Sequence, residues 1–345
     1  MNVLGIETSC DETACSIIND KGKVLSSVVY SQIEMHNKFG GIVPELASRD
    51  HALKIESVVD GAIKQAGLKA SDITHVGVTA GPGLLGCLLV GIAFGKAFAM
   101  ARDIPLIGVD HIKAHILAVF IKEDGIVGAP EFPFIGLVVS GGHTTIYLAE
   151  SYENIRPVAS TVDDAAGEVF DKVARFIGLG YPGGKVLSDI AKKGDPLKVK
   201  FPRPVVKGRE HDFSFSGLKT AAINHFKKIS VAGAFDLNSP ELIDGLAGFQ
   251  EAVCSVLVEK LITAAEKYKV KDIVIGGGVA SNYRLRDLLT ERSLKKGFKP
   301  WLVPIKYCTD NGAMIANEAR LIKDLSPTEF TDDMARLCAY STTRK

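Results

Sequence analysis

Two segments of this 345-residue chain can be laid over one another at a constant offset of 131 residues. Leu4-Gly5-Ile6-Glu7-Thr8-Ser9-Cys10-Asp11-Glu12-Thr13-Ala14-Cys15-Ser16-Ile17-Ile18 lies over Ile135-Gly136-Leu137-Val138-Val139-Ser140-Gly141-Gly142-His143-Thr144-Thr145-Ile146-Tyr147-Leu148-Ala149. Gly5 then meets Gly136, Ser9 meets Ser140 and Thr13 meets Thr144. Each segment reads as an apolar strand, a small polar turn and a second strand, which is a β-hairpin. Two matching hairpins at that separation predict duplicated lobes, and few architectures satisfy such a repeat.

Between and after the hairpins, strands alternate with helices. Strands are expected at 73–80, 105–109 and 272–275. Helices are expected from the Gly-Pro-Gly turn after residue 80 to about 101, and at about 110–122, 165–177, 185–193, 216–228, 240–268, from about 283, and at 311–323. Strand–helix alternation argues for α/β layers with largely parallel sheets. The turn-forming stretch 123–133 is the natural lobe boundary.

Composition narrows the class. Hydrophobic residues make up 46% of the chain and charged residues 23%, which supports packed cores and excludes a disordered polymer. A formal net charge of +1 advertises no nucleic-acid or acidic-membrane partner through a global field, so any such partner must be met by a local patch. The one basic run is in 192–209, with Lys192, Lys193, Lys198, Lys200, Arg203, Lys207 and Arg209 against Asp195. It reads either as an RNA phosphate patch or as a solvated loop. Six scattered cysteines form no CxxC pair and no disulfide framework, and no leader sequence is recognised, so a cytoplasmic location is expected. Residues 78–95 carry no charge, but six glycines and prolines punctuate them at 81, 82, 83, 86, 91 and 95. They read as a buried strand, a turn and a core helix rather than a membrane span.

Several segments have the residue types that chemistry needs. The turn at Ser140-Gly141-Gly142-His143 can present backbone N–H groups and a hydroxyl to an anion, or can be a tight hairpin whose glycines supply positive φ. Gly276-Gly277-Gly278 ends a strand and precedes a helix, an arrangement that suits ligand contact, while Ser281 or Asn282 can simply cap that helix. It is neither a GxGxxG fingerprint nor a Walker sequence. His111 and His115 stand four apart on one helical face, as a bidentate metal site or as two polar surface groups. Ile112 occupies the position where a zincin has its catalytic Glu, so a peptidase reading lacks its general base. Asp310 reads as a helix cap or as the carboxylate of a two-His, one-carboxylate site suited to Fe(II) or Zn(II). Asp171 can take a pair of ribose hydroxyls or be a surface charge partnered by Lys172 or Arg175.

Taken together these segments resemble one family. Gly5-Ile6-Glu7-Thr8-Ser9-Cys10-Asp11-Glu12-Thr13, Gly40-Gly41-Ile42-Val43-Pro44-Glu45 and the His111/His115 pair match its pattern. So do Val139-Ser140-Gly141-Gly142-His143-Thr144, Tyr181-Pro182-Gly183-Gly184, Phe213-Ser214-Phe215-Ser216-Gly217-Leu218-Lys219-Thr220 and Gly276-Gly277-Gly278-Val279-Ala280-Ser281-Asn282. The family is TsaD, the bacterial tRNA adenosine threonylcarbamoyltransferases, formerly labelled O-sialoglycoprotein endopeptidases. The resemblance implies a two-lobed, actin-like or Hsp70-like α/β fold. One lobe would hold 1–128 with a C-terminal helix at about 312–345, and the other 129–311.

It further implies transfer of threonylcarbamoyl from threonylcarbamoyl-AMP to N6 of adenosine 37 in tRNAs that read codons beginning with A. The metal, Fe(2+) or alternatively Zn(2+), would sit on His111, His115 and Asp310. Val138, Val139, Ser140, Gly141, Gly142, Asp171, Gly184 and Asn282 would contact the adenylate. At Ser188 archaeal relatives place an acid, so no contact is carried over there. Glu12, in the first hairpin, is a catalytic candidate for assisting proton removal. The partners implied are tRNA and the proteins TsaB and TsaE, with no membrane. An actin-like small-molecule kinase, a metalloprotease and a non-catalytic scaffold are the competing classes; stoichiometric ATP-dependent phosphorylation would mark the first.

Overall fold

The computed structural model describes residues 1–125, 127–204, 206, 208–209, 211–230, 233–322 and 337–342. They form two compact units, Met1–Ala129 with Thr309–Lys345, and Pro130–Cys308. The sequence-based division assigned 309–311 to the second lobe, whereas their contacts lie with the first unit. Asp310 packs there against His115, and Asn311 accepts the Met314 N–H at 2.9 Å.

The first unit opens with β1 (Asn2–Glu7), β2 (Glu12–Asn19) and β3 (Val24–Ser31), followed by α1 (Ile33–Asn37) and α2 (Pro44–Gln65). Then come β4 (His75–Gly81), α3 (Leu85–Met100), β5 (Leu106–Asp110) and α4 (His111–Leu117). Its five strands run in the order β3-β2-β1-β4-β5, antiparallel across the hairpin and parallel from β1 to β4 and β5. The second unit holds β6 (Phe134–Val139), β7 (Thr144–Ala149), β8 (Ile155–Ser160), α5 (Ala166–Phe176), α6 (Gly184–Ala191) and α7 (Ser216–Ile229). It continues with α8 (Pro240–Tyr268), β9 (Asp272–Gly276), α9 (Tyr283–Lys295) and β10 (Lys299–Leu302). Its sheet reads β8-β7-β6-β9-β10, with the same pattern of antiparallel and parallel pairs. Both hairpins of the 131-residue repeat thus occupy the same place in equivalent sheets. Helix α10 (Gly312–Ile322) returns to the first unit, where a Cβ on Gly5 would come within 2.8 Å of Ala316 Cβ.

Burial explains the pattern. Leu4, Ile6, Cys15, Ile17, Val76 and Val78 from the first sheet meet Ile55, Val58, Val59 and Ala62 of α2 and Ile92 and Ala99 of α3 in one core. The uncharged stretch 78–95 becomes the end of β4, a turn and α3. Among the described residues no helix is long and apolar enough to cross a membrane. Residues 24–65, for which the sequence reading gave no element, contain β3, α1 and α2; Pro44 at the first turn of α2 is a conventional helix start. Helix α4 is shorter than expected. It stops at Leu117, whose carbonyl accepts from Asn317 Nδ2 at 2.8 Å, and a 3₁₀ turn over Ala118–Phe120 follows. The expected C-terminal helix is described as far as Ile322, and residues 337–342 carry no helix; 323–336 and 343–345, on which the rest of that expectation falls, lie outside the described residues.

Candidate functional site

In the first unit, β5 delivers Asp110 as the N-cap of α4, its side chain accepting from Ile112 and Lys113 N–H. His111 and His115 therefore leave the same helix face one turn apart, and both are buried. Asp310 Oδ1 lies 3.2 Å from His115 Nε2 and 3.6 Å from His111 Nε2. One ligand atom from each of the three residues lies within 4.8 Å of the others. Two ligands on a shared tetrahedral or octahedral ion stand about 3.0–3.5 Å apart, so the His–Asp separations fit a metal bound through Nε2, Nε2 and a carboxylate oxygen. The cap of α10 is Asn311 rather than Asp310.

The second face of His111 is occupied by a residue that the sequence reading missed. Glu7 is wholly buried at the end of β1. One of its oxygens accepts the Ser9 N–H at 2.5 Å; the other accepts from Thr79 Oγ1 at 2.6 Å and from His111 Nδ1 at 3.0 Å. A His that donates through Nδ1 keeps its Nε2 lone pair for a metal. Burial pushes Glu7 up, but the His111 charge and hydrogen bond outweigh it and hold the carboxyl below its usual range. Burial pushes His111 down, yet Glu7 and Asp310 raise it to about 9. His115 has no such support: its Nδ1 is buried without a hydrogen-bond partner among the described residues. The signal for Glu7 was available in principle, since it is the lone charge in an otherwise apolar strand. Glu12 opens β2, half-buried, with Ser31 Oγ 3.4 Å from Oε1. Burial, then Asp310 and Asp11, push it up to about 10.

The second unit gathers the glycine-rich segments at the carboxyl ends of β6 and β9, where open α/β sheets bind ligands. Ser140 N–H donates to the His143 carbonyl at 2.8 Å, and His143 N–H donates to Ser140 Oγ at 3.1 Å. Gly141 and Gly142 are not among the positive-φ residues, so the hairpin does not need them for left-handed backbone. No atom lies within 4 Å of a Cβ built on either, so the missing side chains leave an open cradle. Gly277 is different. Its φ is +89° and a Cβ would stand 2.5 Å from the Val139 carbonyl, so this glycine is required by the approach of β9 to β6. Gly167, in the first turn of α5, donates to Ser140 O at 3.2 Å, which seats that helix on the turn.

Asp171 partners neither Lys172 nor Arg175. Its Oδ1 accepts from Gly183 and Gly184 N–H, both at 2.9 Å, at the start of α6. Burial pushes Asp171 up against the pull of those two donors. Asn282 caps α9, as one sequence reading had it, and its Nδ2 reaches Gln250 Oε1 at 2.8 Å and Ser188 Oγ at 3.3 Å. Ser188 thus stands beside Asn282. Val138 and Val139 are buried strand residues that present only backbone here. The Phe213–Thr220 motif is held by two carboxylates: Asp163 accepts from Ser214 Oγ at 2.6 Å and Phe215 N at 2.7 Å, and Asp164 binds Ser216, Lys172 and Lys219. In the basic run, Lys192, Lys198, Arg203 and Arg209 pair with Asp189, Asp244, Glu259 and Asp212, which favours the solvated-loop reading; Lys207 lies outside the described residues.

A family model described as TsaD, tRNA N6-adenosine threonylcarbamoyltransferase, matches residues 23–317. A protein of that name from Anaeromyxobacter dehalogenans is 48% identical over 315 residues, covering 91% of this chain and 92% of its own. Another from Caldicellulosiruptor saccharolyticus is 48% identical over 334 residues, 96% of each chain. Among solved structures, HypF of T. kodakarensis aligns with a TM-score of 0.60 at 14% identity, over 96% of this chain and 48% of its own. Component A of the Acidaminococcus fermentans (R)-2-hydroxyglutaryl-CoA dehydratase aligns with a TM-score of 0.53 at 17% identity, over 93% and 98% of the two chains. At such low identities these two show the fold alone, and it is the expected actin-like α/β fold. The near full-length match at close to half identity settles the rest: this chain belongs to the TsaD family of tRNA N6-adenosine threonylcarbamoyltransferases.

Proposed function

We propose that the protein transfers threonylcarbamoyl from threonylcarbamoyl-AMP to N6 of adenosine 37 in tRNAs that read codons beginning with A. The observation that carries this reading is family membership across nearly the whole chain. In the reaction the adenosine N6 forms a bond to the carbamoyl carbon, the bond from that carbon to the phosphate oxygen breaks, AMP leaves as an anion and N6 loses a proton. The chemistry is therefore largely positioning.

Val138 to Gly142 would offer backbone to the adenylate, with Gly141 and Gly142 leaving room for close approach and the Ser140 hydroxyl still able to donate. Asp171 and Asn282 would take the ribose side, and Asp171 would also orient Gly184 through the hydrogen bond described above. His111, His115 and Asp310 would hold Fe(2+), with Zn(2+) as the alternative, since this donor set accepts either and availability decides. Such an ion, when bound, polarises a carbonyl oxygen as a Lewis acid. Glu7 keeps His111 turned for that duty. Glu12 would assist removal of the N6 proton once a cation on the neighbouring Asp310 offsets the burial and carboxylate repulsion that raise it. The protein would work in the cytoplasm with TsaB and TsaE. The apolar outward residues Leu85, Leu89 and Met100 of α3, all more than half exposed, fit contact with a protein partner.

The test is transfer of labelled threonine from threonylcarbamoyl-AMP onto such a tRNA with the partner proteins, comparing the parent with His111→Ala. Label at adenosine 37 that disappears in the variant supports transferase and metal site together. Label that persists keeps the transferase and removes the metal from its chemistry. No label from folded protein and active partners overturns the reading and turns attention to kinase substrates.

A further inference from the structure

Residues 337–342 lie beyond the stretch 23–317 that the family model matches, yet in the first unit they reach the start of the helix that carries His111 and His115. Tyr340 N–H donates to the Ala80 carbonyl at 3.0 Å, which adds a backbone link at the end of β4. Lys96 Nζ of α3 donates to the Leu337 carbonyl at 3.1 Å. Two glycines make room: a Cβ on Gly81 would collide with the Tyr340 carbonyl, and one on Gly108 would collide with the Leu337 side chain. Leu337 and Ala339 add apolar surface to the core under β4 and α3.

Across this saddle the Tyr340 hydroxyl donates to Asp110 Oδ2 at 2.7 Å. Asp110 is the cap of α4. Its other oxygen accepts Ile112 N–H at 2.9 Å and Lys113 N–H at 3.0 Å, and its own N–H faces Glu318 Oε1 at 3.4 Å. One carboxylate thus joins the tail to the first turn of the helix whose first residue is His111.

We infer that Tyr340 is a positioning residue: through Asp110 the segment 337–342 fixes the first turn of α4 and so the direction in which His111 and His115 present their nitrogens. This rests on the metal reading for its consequence, but the clamp itself can be observed without any ion. A carboxylate left with one oxygen unheld can rotate about its terminal torsion, which is broad and soft. Its cap then alternates between the two helical N–H groups instead of holding both.

The experiment uses the full-length chain, Tyr340→Phe (which keeps the ring against Gly81 and loses only the hydroxyl) and a variant lacking 337–345. Amide hydrogen exchange over 110–117 is measured on metal-free protein, and Co²⁺ titration followed by its visible absorption bands is measured on the same samples, with His111→Ala as the control for the site. The expected result for Tyr340→Phe is faster exchange in α4 by about tenfold, Co²⁺ affinity weaker by about tenfold and altered absorption bands, with a melting temperature near the parent value. The truncated protein should move further in the same direction. Unchanged exchange in α4 overturns the clamp. Faster exchange with parent Co²⁺ affinity and bands overturns the positioning role. If the parent binds no Co²⁺ that His111→Ala abolishes while exchange still rises, the clamp stands and the metal reading has failed on its own.

Discussion

Replacing Glu7 with glutamine changes the shape of that side chain very little and removes its charge. The carboxylate accepts from three donors, Ser9 N–H, Thr79 Oγ1 and His111 Nδ1. An amide has only one accepting oxygen, so two outcomes are open. With the oxygen towards Ser9, the NH₂ faces Thr79 and His111. The hydroxyl can turn to accept; Nδ1 either keeps its proton by donating to Ser9 Oγ, 3.3 Å away, in which case affinity falls less, or accepts by moving that proton to Nε2, the nitrogen that faces Asp310. In the second case the lone pair needed for a metal is lost. Outer-sphere partners of this kind change metal affinity by about 10–100-fold, or about 1.4–2.7 kcal/mol. His115 and Asp310 are untouched, so binding should weaken rather than vanish. With the amide reversed, the Ser9 N–H is left buried and unpaired, at a cost of about 1–3 kcal/mol in stability. Co²⁺ titration and thermal melting of Glu7→Gln and the parent distinguish the two. A variant that retains parent affinity and parent stability would refute the assignment of Glu7 as the group that turns His111.

The glycines should separate by function. Gly142→Ala should leave the melting temperature unchanged and weaken binding of an adenylate analogue at least about tenfold, whereas Gly277→Ala, in a backbone region open essentially to glycine alone, should cost at least about 2 kcal/mol in denaturant unfolding. Glu12→Gln should slow transfer with saturating donor, and a parent-like rate would exclude it from proton removal. Asp164 is pushed up by burial but held at about 2 by Lys172, Lys219 and Ser216. A carboxyl lowered on folding stabilises the fold above its unfolded pKa, about 3.9, and loses that contribution as pH falls towards 2. Asp164→Asn should therefore melt below the parent at pH 7, with a difference that shrinks between pH 4 and pH 2.

The hairpin repeat was legible because it is local: strand, turn and strand sit within residues 4–18 and 135–149, and the offset between copies needs no knowledge of packing. The His pair was legible for the same reason, since four residues is one helical turn. Asp310 was ambiguous because Asn311 beside it is an equally good cap, and only the placement of α10 against α4 decides between them. Glu7 was invisible as a partner because its three donors come from the turn after β1, from β4 and from the start of α4. Only the neighbouring positions of β1, β4 and β5 in one sheet bring 7, 79 and 111 together. Tyr340 was equally hidden, in a tail whose composition gives no periodicity. The glycine doublet misled in a smaller way: glycine in a hairpin usually means positive φ, and here it means space.

On the proposed reading, the duplicated sheets would also set which sign of charge each hairpin attracts. At equivalent places after the first strand of each unit, one copy carries Asp11 and Glu12 and the other carries Gly142 and His143. The backbone is common to both; three or four side chains in the turn turn one copy into an acidic lip and leave the other as bare amide dipoles. Once such a scaffold exists twice in a chain, each copy is free to specialise, one towards cations and one towards anions, without a new fold for either. Exchanging the two turns between the hairpins would then exchange preferences while leaving both sheets intact, and the division of labour in this chain would be written in fewer than ten residues.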